Sequence, residues 1–346
     1  MPPRLAATAC LLLLLSTPTA PARDDYKSLD DLRDSYAKQL LDLDRRRVAD
    51  LSALAARLKG DEAEASYREL FEIAVARDLY AEAEAAAEHY RKTSGADPRE
   101  KALATLVAII AKANRGEYDR SLADLAAAFQ AAPAADDPSR RVDPGTAIAL
   151  GEAYLQRLLR GNRPDVARKA CEMILARRAD PEVRDHFTAR LARIAMIGRP
   201  APPIVGRDVD GKPATLAELR GKVVLVDFWA TWCPPCVAAF PRMNALQARY
   251  GTDGFVILGV NLDARREGAG EVSRVTPAVR QFLLNSRASW PNVLIGASRP
   301  EDPASTYAVE EIPANFLIGR DGTVLRVETA GPDLEKAVAE AIKGAK

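Results

Sequence analysis

Eight residues constrain this chain more than any others: Trp229-Ala230-Thr231-Trp232-Cys233-Pro234-Pro235-Cys236. They follow the apolar run Val223-Val224-Leu225-Val226, then Asp227 and Phe228, and a helical pattern continues from Val237 to Tyr250. A buried strand that feeds a Cys-x-x-Cys at the head of a helix is the setting of a thiol–disulfide redox pair. The first cysteine of such a pair sits where unpaired N–H groups and the helix dipole lower a thiol's pKa. Cys233 is therefore the expected nucleophile, and Cys236, one turn on, the residue that resolves the mixed disulfide. The competing reading is half of a structural zinc site, which needs four ligands. Outside the motif the chain offers only Cys10, Cys171, His89 and His186, none of them paired at ligand spacing. No metal or other cofactor is expected.

The 346 residues suffice for two or three domains. A net charge of +1 gives no reason to expect a nucleic-acid partner. Residues 1–22 read as a secretory signal: Arg4, then an apolar core from Leu5 to Leu15, then Ala20-Pro21-Ala22 at the cleavage site. Cys10 precedes the leucine run, which argues against lipidation, and an uncleaved membrane anchor is the alternative to removal. Cleavage leaves Cys171, Cys233 and Cys236. An exported chain with one close cysteine pair points to redox work in the periplasm or another extracytoplasmic space, at or near a membrane.

Residues 23–197 form a helical region, rich in Ala, Leu, Glu and Arg with apolar residues every three or four positions. Leu29, Leu32, Tyr36, Leu40 and Leu43 mark one stripe, and the first helix is expected to run to Lys59. Helix pairs are expected over Tyr67–Thr93, Pro98–Ala132 and Pro144–Ala179. Gly116-Glu117-Tyr118-Asp119-Arg120-Ser121-Leu122 resembles part of a tetratricopeptide repeat, without its Trp and Leu-Gly landmarks. Such hairpins often bind a protein partner, and ordinary helical packing explains the pattern equally well. Cys171 falls on an apolar face and is expected to be a buried, inert thiol.

At Gly198-Arg199-Pro200-Ala201-Pro202-Pro203 the pattern changes to strands alternating with helices. A turn is expected at Asp208–Pro213, a helical turn at Thr215–Arg220 and buried strands at Val223–Phe228 and Phe255–Asn261. Helices are expected at Cys236–Tyr250, Thr276–Arg287 and Pro332–Lys343. A strand pair, Asn315–Ile318 with Val324–Val327, is expected across Gly319–Gly322. Parallel strands send their following loops out at one edge. The charged stretch from Asp263 to Val275 should therefore leave beside the cysteines. Arg265, Arg266 and Arg274 either help to choose the partner or belong to a solvated connector.

Residues 198–346 resemble the extracytoplasmic thiol–disulfide oxidoreductases of the TlpA/ResA type, several of which serve cytochrome c or copper-site maturation. The resemblance runs through the segment Phe228–Cys236, Leu219-Arg220-Gly221-Lys222-Val223-Val224, Trp290-Pro291 and Ile312-Pro313-Ala314-Asn315-Phe316-Leu317-Ile318. It implies an α/β thioredoxin fold behind an all-α N-terminal region. It also implies that Ile312-Pro313 is a cis-proline loop facing the cysteines, with the Ile312 backbone pairing to an extended substrate. Trp232, Ile312, Pro313 and Gly331 would then shape the substrate groove. Most relatives of this type carry Asn where this chain has Asp227, and many carry Glu where it has Ala239. Asp227 either ends a strand or, as a buried carboxyl with a raised pKa, takes the proton of Cys236. Pro234 and Pro235 have no N–H to offer the Cys233 sulfur, which favours a reductant. The implied substrates are protein disulfides, with a membrane electron donor to recycle the pair. The rivals are a thiol peroxidase of the same fold and a helical binding module with a vestigial redox domain.

Overall fold

The computed structural model describes residues 26–93, 97–129, 143–266, 271–296, 302–329 and 331–344. The expected signal, Cys10, the end of the second helix pair at Ala132 and residues 267–270 of the charged loop lie outside them.

Eight helices come first: α1 (Leu29–Ala55), α2 (Asp61–Ala76), α3 (Tyr80–Arg91), α4 (Pro98–Asn114), α5 (Tyr118–Ala128), α6 (Pro144–Arg160), α7 (Pro164–Arg177) and α8 (Pro181–Ala195). An Asp-Pro pair starts α4 and α6. The Asp97 and Asp143 carboxylates accept from backbone N–H groups of the first turn, and the proline stands where no N–H is needed. α4 is the central helix, buried from Ala104 through Ala111. The Tyr67, Phe71 and Tyr90 rings cluster beside it, with centroids 4.8–5.9 Å apart. Two expectations change here. α1 ends at Ala55 rather than Lys59, and Gly60 turns the chain with a positive φ of 61°. The stripe of Leu29, Tyr36, Leu40 and Leu43 is exposed, because α2 has 16 residues against 27 in α1 and Arg77, just past its end, already lies at Asp44; within α1, Val48 and Ala55 are buried.

The rest of the chain is an α/β unit. β1 (Val205–Arg207) and β2 (Pro213–Thr215) form a small antiparallel hairpin, followed by a 3-10 turn at Ala217–Leu219. The main sheet holds β3 (Val223–Trp229), β4 (Phe255–Asn261), β5 (Asn292–Leu294), β6 (Ala314–Ile318) and β7 (Val324–Val327), in the order β5-β4-β3-β6-β7. β3, β4 and β5 are parallel, β6 runs against them, and β7, antiparallel to β6, points the same way as β3. The accompanying helices are α9 (Pro234–Tyr250), α10 (Val272–Asn285), the single turn α11 (Pro303–Thr306) and α12 (Gly331–Lys343). This is a thioredoxin fold behind a helical half.

β3 is central and buried at all seven positions, so both of its faces carry apolar side chains. Val224, Val226 and Phe228 join a core continuous with that of the helices, and the Phe228 ring packs against Tyr307 and Phe316. Val223, Leu225 and Trp229 face the other way, into a cluster with Cys233, Cys236, Phe240, Leu334 and Val338. The short strand β5 was not expected, and α10 starts at Val272 rather than Thr276, with Pro277 inside it.

Candidate active site

The end of β3 delivers the cysteines. Trp229 closes the strand, fully buried, with its indole N–H donating to Asn292 Oδ1 at 2.9 Å. Cys233 is the N-cap of α9, and Pro234 and Pro235 open the helix, where their missing N–H groups cost nothing. Cys233 and Cys236 are joined in a disulfide, and the Cys236 N–H donates to Cys233 Sγ at 3.3 Å. Cys233 is 4% exposed and Cys236 1%, while Trp232, just before them, is 42% exposed. The pair thus lies almost flush with the surface beside a projecting ring.

A second set of residues holds the turn that carries the pair, and sequence reasoning missed it. Asp263, two residues beyond β4, accepts from the Thr231 N–H at 3.0 Å and from the Thr231 hydroxyl. Asn261 donates its side-chain amide to Asp263 Oδ2 at 2.6 Å, and the Asp263 N–H returns to Asn261 Oδ1 at 3.1 Å. Both residues are buried. The available signal was Asn-x-Asp closing an apolar strand, a pattern that reads as ordinary turn chemistry.

Asp227 is buried on the face of β3 that carries the cysteines, in step with Leu225 and Trp229. Its backbone lies between Gly259 of β4 and Asn315 of β6. Burial alone pushes its carboxyl up to about 7. The Ile312–Pro313 bond is cis, and Ile312 packs against the cysteine cluster. Gly331 is at the head of α12, with a positive φ of 62°. A Cβ there would come within 3.2 Å of Arg242 Nη1.

At Trp232, the residue before Cys233, runs an open groove of about 740 Å³ whose lining includes neither cysteine. Trp232 and Ile312 line it, as do Arg265 and Arg266, so the charged stretch does leave at the cysteine edge. Its far wall is Thr188, Ala189 and Ala192 of α8. Cys171 is fully buried in the helical half, and burial drives its thiol up to about 12, so it is inert as expected.

A cystine at the head of a helix fed by the central strand of this sheet defines a thioredoxin-fold thiol–disulfide oxidoreductase. Comparison with known proteins narrows the class. The Redoxin family model matches residues 196–342. The thiol-disulfide oxidoreductase ResA of Bacillus thuringiensis subsp. konkukian is 31% identical over 147 residues, which is 42% of this chain and 77% of that protein. ResA of Bacillus subtilis is 34% identical over 132 residues, 38% of this chain and 66% of that one. Among solved structures, the thioredoxin domain of a thiol-disulfide oxidoreductase from Bacteroides vulgatus is 28% identical, covering 42% of this chain and 97% of that one, with a TM-score of 0.37. The chain belongs to the ResA family of thiol-disulfide oxidoreductases.

Proposed function

We propose that the chain is exported and reduces protein disulfides, with residues 1–22 as its signal, 23–197 as a helical domain and 198–346 as the redox domain. The reduced form starts the cycle. The Cys233 thiolate attacks one sulfur of a substrate disulfide, that bond breaks, and a substrate thiolate leaves. Asp227 takes the proton of Cys236. The Cys236 thiolate then attacks Cys233 Sγ and releases the second substrate thiolate. Two electrons have passed to the substrate, and the enzyme is left with the Cys233–Cys236 disulfide. A membrane electron donor outside the cytoplasm returns it to the dithiol.

The observation that carries this reading is the disulfide itself, closed between Cys233, the N-cap of α9, and Cys236, the residue one turn on. Trapping tests it. A Cys236→Ser variant should hold the mixed disulfide through Cys233, and mass spectrometry should identify the protein attached. Recovery of no adduct from an extracytoplasmic extract would sink the reading. Direction is tested by equilibration with a glutathione buffer. The potential should lie nearer thioredoxin's, about −270 mV, than the strong oxidant's, about −120 mV; a value above about −160 mV would reverse the role.

A further inference from the structure

The groove at Trp232 is built by both halves of the molecule. α8 does not simply lead into the redox fold; it is fastened onto it. Arg190 and Arg193, 2% and 7% exposed, both form ion pairs with Glu328, just beyond β7. Arg190 also donates to Glu152 of α6 at 2.9 Å, and Arg193 donates to the Ala308 carbonyl. At the end of α8 the backbone continues the attachment. The Gly198 N–H donates to the Val324 carbonyl at 2.8 Å, and the Ala201 N–H to that of Gly322 at 2.9 Å. Breaking a buried ion pair leaves a charge that water cannot reach, so the helix is held in place rather than merely resting there.

The face of α8 turned to the groove is small. Thr188 and Ala192, one turn apart, are exposed and line it. A volume near 740 Å³ suits a small molecule or a few residues of extended chain, far less than a folded domain. The charge in the groove is also uneven. Arg265 is held by Asp302. Arg266 is exposed, stands 6.0 Å from the centre of the Trp232 ring and makes no ion pair shown among the described residues. Glu310 also lines the groove, as does Ile312 two residues beyond it.

Resting on the reading that the pair reduces protein disulfides, we propose that α8 is the outer wall of the substrate channel. The helical half thus acts as a size filter. The substrate is a cystine carried in a flexible, extended polypeptide segment, with a carboxylate side chain beside it that Arg266 receives. A disulfide fixed on the surface of a rigid domain does not pass between α8 and Trp232.

The test uses the full chain, pre-reduced and freed of excess reductant, so that each molecule supplies one pair of electrons. Three oxidants are compared: glutathione disulfide, a flexible peptide whose cystine is flanked by Asp, and the same peptide flanked by Lys. Ala192→Trp and Thr188→Trp narrow the channel from exposed positions. Each should lower the rate constant for the peptides at least tenfold more than that for glutathione disulfide. Arg266→Glu should invert the wild type's preference for the Asp-flanked peptide. Equal changes for peptide and glutathione disulfide in both tryptophan variants would overturn the wall, and an unaltered flank preference in Arg266→Glu would overturn the carboxylate. A wild type that reduces none of the three overturns the reading of the site, and the wall with it.

Discussion

Asp227 ties stability to pH, and the sign follows from burial. Its carboxyl titrates near 7 in the folded chain against 3.8 as the reference value, so between those limits the folded state holds a proton that the unfolded state has lost. The contribution is complete below about pH 4 and disappears as pH rises through 7, on the order of 4 kcal/mol in all. Asp227→Asn should flatten this slope when unfolding midpoints are compared from pH 5 to pH 8. The same variant should slow resolution of the mixed disulfide about a hundredfold while sparing its formation. In the wild type that step should accelerate with pH through about 7, as the base loses its proton. Equal slowing of both steps would remove Asp227 from proton transfer. At this scale the cysteines and Asp227 were legible, because a charged residue inside a valine run is conspicuous. Asn261, Asp263 and Asn292 were not, because polar residues at strand ends look like any loop.

At the scale of elements, β4 shows how closely this sheet is fitted around the site. Asn292 lies across Gly259 to reach the Trp229 indole, and a Cβ on Gly259 would fall 1.9 Å from Asn292 Oδ1. Gly259→Ala should therefore cost about 1–3 kcal/mol by overpacking, read as a lower denaturant midpoint. An unchanged midpoint would mean that Asn292 moves aside freely. The long elements were readable from periodicity: β4 matches its expected span, and β3 and β6 differ by one residue each. β5 escaped because three residues after Trp290-Pro291 carry too little pattern to mark a strand. α10 was placed late, at Thr276, where a proline in the first turn of a helix is well tolerated. The structure instead puts Pro277 one turn inside.

For the whole molecule, the sequence announced two kinds of structure but nothing of how they join. Arg190 and Arg193 look like two more surface charges on an arginine-rich helix, yet both are buried where α8 meets the redox fold. Burial and the neighbouring Arg190 bring the Arg193 guanidinium down to about 10, the mark of a charge far from water. Glu328→Gln should strand that charge and cost about 3–5 kcal/mol in unfolding free energy. Adding Arg193→Met to that variant should restore part of the loss. A cost below about 1 kcal/mol, or no rescue, would mean that the junction is hydrated.

The silent thiol in the helical half has a consequence for biogenesis. While the chain is still unfolded, nothing hides Cys171, and an oxidant can join it to either partner of the redox pair. Chain closure over so short a span favours Cys233 with Cys236, yet a strong oxidant leaves little time for correction. Once α7 packs, Cys171 is fully buried and out of reach of both partners. Cys171→Ala should return a larger share of correctly paired protein from the reduced, denatured state in oxidising buffer. Equal yields would mean that the pair closes first.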